Sequence, residues 1–137
     1  MKVIIDTSVF IAFFVKKESY HQEVLNKHKD YQKQRVQFIT SDYVLAELFT
    51  RLIYDFGKVA TQKAAEEITH SVENKSLSII PINENIFKQA FEIMIKFSEH
   101  HISFTDATTY VLYKECKLDE IFTLDSDFKK MRAKSAF

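Results

Sequence analysis

An α/β fold built on a mainly parallel central sheet follows from three features of this 137-residue chain. Short aliphatic runs alternate along it with longer segments of helical periodicity, strand then helix, several times over. The run "KVII" near the start is continuous rather than alternating, the pattern of a strand buried on both faces. No hairpin signal separates successive strands, so helical crossovers connect them.

Taken in order, "KVII" is the first strand. Residues 8–15 read as a short helix and residues 19–35 as a longer, polar one. "VQFIT" (36–40) is the second strand. Ser41 or Asp42 caps a third helix, in which Val44, Leu45, Leu48, Phe49, Leu52, Ile53 and Phe56 keep helical spacing and Gly57 supplies the stop. Residues 58–75 are helical, 77–82 ("LSIIPI") form the third strand, and 85–99 return to helix. Residues 104–116 give another helix, 120–124 ("EIFTL") the fourth strand, and "DSDFKKM" opens a last short helix. No linker or internal repeat interrupts the series. Residues 1–137 are therefore expected to form a single domain, long enough to bury its own core.

Composition narrows the function classes. Hydrophobic residues at 46% and charged residues at 28% describe a globular protein, with thirteen Phe and six Tyr filling much of its interior. A single Gly and a single Pro leave no room for Gly-rich phosphate loops. Nineteen basic residues balance nineteen acidic ones, so any nucleic-acid contact must come from a local patch. The lone Cys116 can neither close an internal disulfide nor build a thiolate metal site, which fits a reducing compartment. The apolar run "VFIAFFV" is too short to span a bilayer, and Asp6 interrupts what could otherwise be a signal-peptide core. A cytoplasmic protein is expected, with no membrane partner.

In open parallel sheets the ligand crevice lies beyond the carboxyl ends of the strands. Asp6 stands at the end of the first strand and Asp125 at the end of the fourth. Glu47 in the third helix and Asp106 near the start of the "FTDATT" helix can border the same edge. Each has an ordinary structural explanation. Asp6 and Asp125 suit helix caps, Asp106 closes a capping box with Ser103, and Glu47 lies opposite its helix's apolar stripe. Together they carry more weight. Carboxylates gathered in a crevice raise one another's pKa unless a cation neutralises them, and Mg²⁺ or Mn²⁺ prefers such oxygen donors. The motifs show no matching Lys or Arg, which favours a metal site over buried ion pairs. Such an ion can activate water and stabilise charge on a phosphoryl group.

The chain resembles the PIN-domain nucleases, and among them the short VapC-type toxins of toxin–antitoxin pairs. The likeness rests on "VIIDTSVFIA", "TSDYVLAEL", "SFTDATTY" and "IFTLDSDF", four segments in order that cover nearly the whole chain. It implies a three-layer α/β/α sandwich and a Mg²⁺- or Mn²⁺-dependent endoribonuclease that leaves 5′-phosphate and 3′-hydroxyl ends. By this resemblance Asp6, Glu47, Asp106 and Asp125 are the catalytic and metal-binding residues, with Asp6 and Asp106 the central ligands. Ser8 and Thr123 match small polar positions that support the site. Asp127 is either an auxiliary acid or, the preferred reading, surface charge. Family members usually carry a further short strand after the "DSDF" helix; here the tail reads "KKMRAKSAF", so a fifth strand is expected to be short or missing. The resemblance also implies a homodimer, for which the third-helix face bearing Tyr43 and Tyr54 is the candidate, and a small antitoxin as partner.

Other readings fare less well. A haloacid-dehalogenase-type phosphatase needs a second Asp where Ser8 stands, and a receiver domain needs one after the third strand, where "LSIIPIN" has none. His21, His28, His70, His100 and His101 include no i, i+4 pair for zinc, and Cys116 has no nucleophile signature around it. Two alternatives within the same fold stay open: an RNA-processing nuclease outside any toxin–antitoxin pair, and an inactive binding or scaffold module. Lys16 and Lys17, the segment "KHKDYQKQR", and Lys129, Lys130, Arg132 and Lys134 are the candidate contacts for RNA.

Overall fold

A computed structural model describes residues 1–137. Strands β1 (Lys2–Ile5), β2 (Gln37–Ser41), β3 (Leu77–Ile80) and β4 (Glu120–Phe122) form one sheet in the order β3-β2-β1-β4, with every neighbouring pair parallel. The register sets Ile4 between Ile39 and Ile121, and Val3 between Phe38 and Glu120. Because side chains alternate across a strand, these rows serve opposite faces. Val3, Ile5, Phe38 and Phe122 enter one buried cluster, whereas Ile4, Ile39 and Ile121 enter another.

The first cluster is covered by α1 (Thr7–Phe14), α2 (His21–Lys33), α3 (Asp42–Asp55) and α4 (Lys58–Glu73). The second is covered by α5 (Glu84–Lys96), α6 (Phe104–Glu115) and the short α7 (Asp127–Lys130). The result is the expected three-layer α/β/α sandwich. It explains the continuous aliphatic runs: each strand feeds a core on both sides.

Element ends differ from the sequence reading by a few residues, for local reasons. β3 stops at Ile80 because Pro81 offers no amide to the ladder. α5 closes at Lys96 and tightens into a 3₁₀ turn at Ser98–His100. β4 ends at Phe122, where Thr123 turns its hydroxyl toward Asp6. The fifth strand is reduced to one parallel bridge between Ile121 and Ser135, in which the Ile121 amide donates to the Lys134 carbonyl at 2.8 Å.

Gly57 stops α3 as its sequence position indicates, at φ +90°, and opens α4 directly. Five non-glycine residues also adopt left-handed backbone, among them Lys75 after α4 and Lys117 after α6. Lys75 donates to Val72 and Ser76 to Ser71, closing the orphan carbonyls of that helix.

One buried polar pair ties α2 to β4. The Tyr31 hydroxyl, on a fully buried ring, donates to Glu120, and Lys134 approaches the second carboxylate oxygen at 3.4 Å. Burial, then the bond and charge of Glu120, push the Tyr31 phenol well above its ordinary pKa, so it stays a donor at all working pH values. Tyr31→Phe leaves a carboxylate that is only 5% exposed without its buried donor. Urea unfolding of that variant is expected to show a loss of about 1–3 kcal/mol relative to the native chain.

Candidate active site

The chain runs from β1 through β2 to β3 on one side, then crosses back to place β4 on the other side of β1. β1 and β4 are thus neighbours whose connections leave in opposite directions, the topology that opens a crevice at the carboxyl ends of the strands. Asp6 follows β1 immediately, and Asp125 lies three residues beyond β4.

Asp6 is 3% exposed, and its side chain is held from several directions. Ser8 donates to Oδ1 at 2.7 Å, the Val9 amide to the same oxygen at 3.3 Å, and Thr123 to Oδ2 at 2.6 Å. Thr40, at the end of β2, donates to the carbonyl of Ile5 at 3.1 Å and fixes the backbone just before it. The two hydroxyls also receive bonds: the Leu124 amide donates to Ser8 Oγ at 3.0 Å and the Asp125 amide to Thr123 Oγ1 at 2.9 Å. The helix-cap reading of Asp6 is therefore correct, and the same network binds the ends of β1 and β4 to each other.

Asp106 closes the capping box with Ser103: its amide donates to Ser103 Oγ at 3.0 Å, and the Ser103 amide donates back to Asp106 Oδ2 at 3.4 Å. Asp125 accepts the Asp127 amide at 2.9 Å. Burial raises the Asp6 pKa to about 6 despite the bonds from Thr123, Ser8 and Val9, and the charge of Asp125 adds to the rise. Burial, then the charges of Asp6 and Asp125, raise Asp106 to about 7. The Asp125 pKa is raised as well, chiefly by burial. The structure thus brings these three acids within electrostatic reach of one another, and none of them forms an ion pair.

Glu47 stands apart from this trio. It lines a shallow pocket with Tyr43, Thr50, Arg51 and Thr105, the neighbour of Asp106. Its Oε1 lies 3.8 Å from Arg51 Nη1, one helical turn on. Asp127 bonds Lys130 at 2.9 Å, which holds its pKa below the usual carboxylate value. The expectation that these motifs lack basic partners is corrected by both pairs: the i, i+4 and i, i+3 spacings bring cations from the following turn. Lys130 also acts on Asp125 from the same position. Sequence reasoning overlooked Arg51, although the Glu47–Arg51 spacing was there to signal it. Lys16 and Lys17 follow the far end of α1, about 12 Å along the helix from Asp6, and Lys17 sits over the Phe56 ring.

No three His, Cys, Asp or Glu side chains stand together as a ready-made cation cage. A cavity of about 700 Å³ lies elsewhere. It is lined by Phe10, Phe13, Phe14 and Phe38 and reaches Val36 and Leu77, where β2 and β3 begin. It contains none of the four predicted acids. The predicted acids Asp6, Asp106 and Asp125 gather instead at the carboxyl ends of β1 and β4, with Asp6 buried and the other two part-exposed.

The family to which such an edge belongs is defined by comparison. The PIN domain model matches residues 3–134. A VapC ribonuclease of Archaeoglobus fulgidus is 30% identical over 131 residues, which span 93% of this chain and 80% of that protein. Among solved structures, VapC20 of Mycobacterium tuberculosis, a sarcin-ricin loop cleaving toxin, superposes with a TM-score of 0.80 at 21% identity, over 96% of this chain and 95% of that one. VapBC2 from Rickettsia felis, bound to a DNA fragment from its promoter, gives 0.73 at 16% identity, over 98% and 97%. These superpositions show a shared fold. The chain belongs to the PIN domain family. Within that family it is of the VapC type.

The raised pKa values link stability to pH. An unfolded Asp releases its proton near 3.8, whereas folded Asp6 and Asp106 hold theirs to about 6 and about 7. The folded state therefore binds more protons between these values, and stability falls as pH rises from about 4 to about 7. In EDTA, thermal unfolding followed by circular dichroism is expected to show a falling Tm over this range. Asp106→Asn should flatten the slope; an unchanged slope would remove Asp106 as its source.

Proposed function

We propose that this chain is a Mg²⁺- or Mn²⁺-dependent endoribonuclease and the toxin of a toxin–antitoxin pair. The observation that carries the reading is the set of Asp6, Asp106 and Asp125 at the β1–β4 switch point, mutually repelling and without ion-pair partners. The VapC ribonuclease of Archaeoglobus fulgidus supports the reaction class. VapBC2 from Rickettsia felis supports a protein antitoxin.

The donor set fits a hard divalent ion, since every candidate ligand is a carboxylate oxygen. Mg²⁺ keeps several waters and commonly takes only one or two carboxylates, which agrees with an edge that forms no closed cage. Asp6, Asp106 and Asp125 are assigned as ligands, with Glu47 as an outer acid. When bound, the ion neutralises these carboxylates, polarises the phosphodiester and acidifies water. The chain's own groups do the positioning. Ser8 and Thr123 hold both oxygens of Asp6, and Ser103 orients Asp106. Asp125 and Glu47 orient the attacking water. Arg51 and Lys130 offer positive charge to flanking phosphates of the RNA, nearer the acids than Lys16 and Lys17. Asp127, paired with Lys130, is assigned a surface role. The aromatic-lined cavity between α1, α2 and α4 is the surface this reading gives to an apolar segment of the antitoxin.

Incubation of total RNA with the protein is expected to yield fragments with 5′-phosphate ends in Mg²⁺ or Mn²⁺ and none in EDTA. Asp6→Asn and Asp106→Asn should each lower the rate by at least about 100-fold. Cleavage that persists in the double variant would leave the inactive-scaffold alternative. Thr123→Val removes a bond that lowers the Asp6 pKa. It is expected to weaken Mn²⁺ binding by about 10–100-fold in calorimetry while leaving the fold intact.

A further inference from the structure

Four helices of this chain end in the same way. After α2, α4, α6 and α7, the residue beyond the cap adopts left-handed backbone, with φ between 51° and 66°: Arg35, Lys75, Lys117 and Arg132. In each case its amide donates to the carbonyl three residues back, and the next amide to the carbonyl five back, as from Leu118 to Tyr113. Glycine is the usual occupant, since any side chain adds a steric cost there. The one glycine, Gly57, ends α3, which leads into another helix. All four ends that lead to the sheet carry a cation instead. Opposing the helix dipole does not account for this, because a last-turn cation does the same without left-handed backbone. α2 and α6 already have Lys33 and Lys114 in that position.

The sheet sets these remote residues side by side. Arg35 and Lys75 stand two residues before β2 and β3, and Lys117 and Arg132 stand three before β4 and the Ser135 bridge. Lys2 begins β1 between them. In strand order the row reads Lys75, Arg35, Lys2, Lys117, Arg132, one cation per strand over about 19 Å at the usual strand spacing. All five are exposed, none pairs with an acid, and none lies over an aromatic ring. Glu73, Glu115 and Asp119 share this end, and Asp119 is engaged by the Lys2 amide at 2.7 Å.

We propose that this row binds the phosphate backbone of RNA, at the end of the sheet opposite Asp6, Asp106 and Asp125. A single phosphate would need donors that converge, whereas separate cations in line match a chain of repeating charge. The row is continuous with the acidic edge. β1 is four residues long, so about 13 Å of sheet separates the two ends. α7 bridges them, with Lys130 acting on Asp125 and Arg132 following two residues later. RNA bound along the row is held by its backbone away from the acids, which adds affinity without reading sequence. The choice of RNA as partner rests on the ribonuclease reading above.

Fluorescence anisotropy with a labelled RNA stem-loop in EDTA measures this binding without cleavage. The native chain is expected to bind, with the logarithm of affinity falling linearly as the logarithm of salt concentration rises. The fourfold variant Arg35→Gly, Lys75→Gly, Lys117→Gly and Arg132→Gly should keep its fold by circular dichroism, because glycine suits left-handed backbone. Its salt slope should fall by about three, and its affinity at about 0.1 M salt by about tenfold or more. Lys75→Gly and Lys117→Gly alone should each lower the slope by about one. A native chain that binds RNA yet cuts none would keep this surface and remove the ribonuclease reading. An unchanged slope in the folded fourfold variant would overturn the surface. So would a native chain that binds no RNA, or that binds polyglutamate as tightly.

Discussion

Much of this molecule depends on one buried carboxylate. Asp6 lies where β1 gives way to α1, almost free of solvent contact, and a carboxylate in that position persists only if its oxygens are bonded. Ser8 and Val9 bond it from its own helix, and Thr123 bonds it from the far side of the neighbouring strand. The supporting hydroxyls in turn receive the amides of Leu124 and Asp125. A single side chain therefore caps a helix, joins two strand ends and places a second acid. These bonds lower the Asp6 pKa yet do not outweigh burial, which keeps it raised.

The sheet makes that arrangement rigid. Each strand sends alternate residues into two separate cores, so β1 cannot slip by one residue without exchanging Ile4 with Val3 and Ile5 across the faces. The crossover from β3 to β4 then sets Asp125 beside Asp6 from the opposite end of the chain. α6 packs on the second face and brings the first turn holding Asp106 to the same edge. Two cores and one reversal of connection direction are enough to gather acids separated by more than a hundred residues.

Charge is balanced over the whole chain but not locally. The two most strongly perturbed acids, Asp6 and Asp106, are without cations, whereas the outer acids Glu47 and Asp127 each have one from a neighbouring turn. The arrangement separates a centre of unpaired carboxylates from a rim in which acids and cations are paired. The aromatic-lined cavity on the α1–α4 face of the sheet holds none of these acids.

Sequence alone determined the element order, the parallel sheet and the acids at the strand ends, because buried strands and capped helices leave local signatures in residue type and spacing. The caps at Asp6 and Ser103, the stop at Gly57 and the break at Pro81 are of this sort. Local pattern did not carry the strand order, the support of Asp6 by Thr123, or the distance of Lys16 and Lys17 from the acids, since each depends on contacts between remote segments. The Glu47–Arg51 and Asp127–Lys130 pairs were within reach of spacing arguments, yet only packing showed that those partners leave Asp6 and Asp106 unpaired. Tertiary structure decided the site because electrostatic coupling depends on distance through space, and the sheet, rather than the chain, sets that distance.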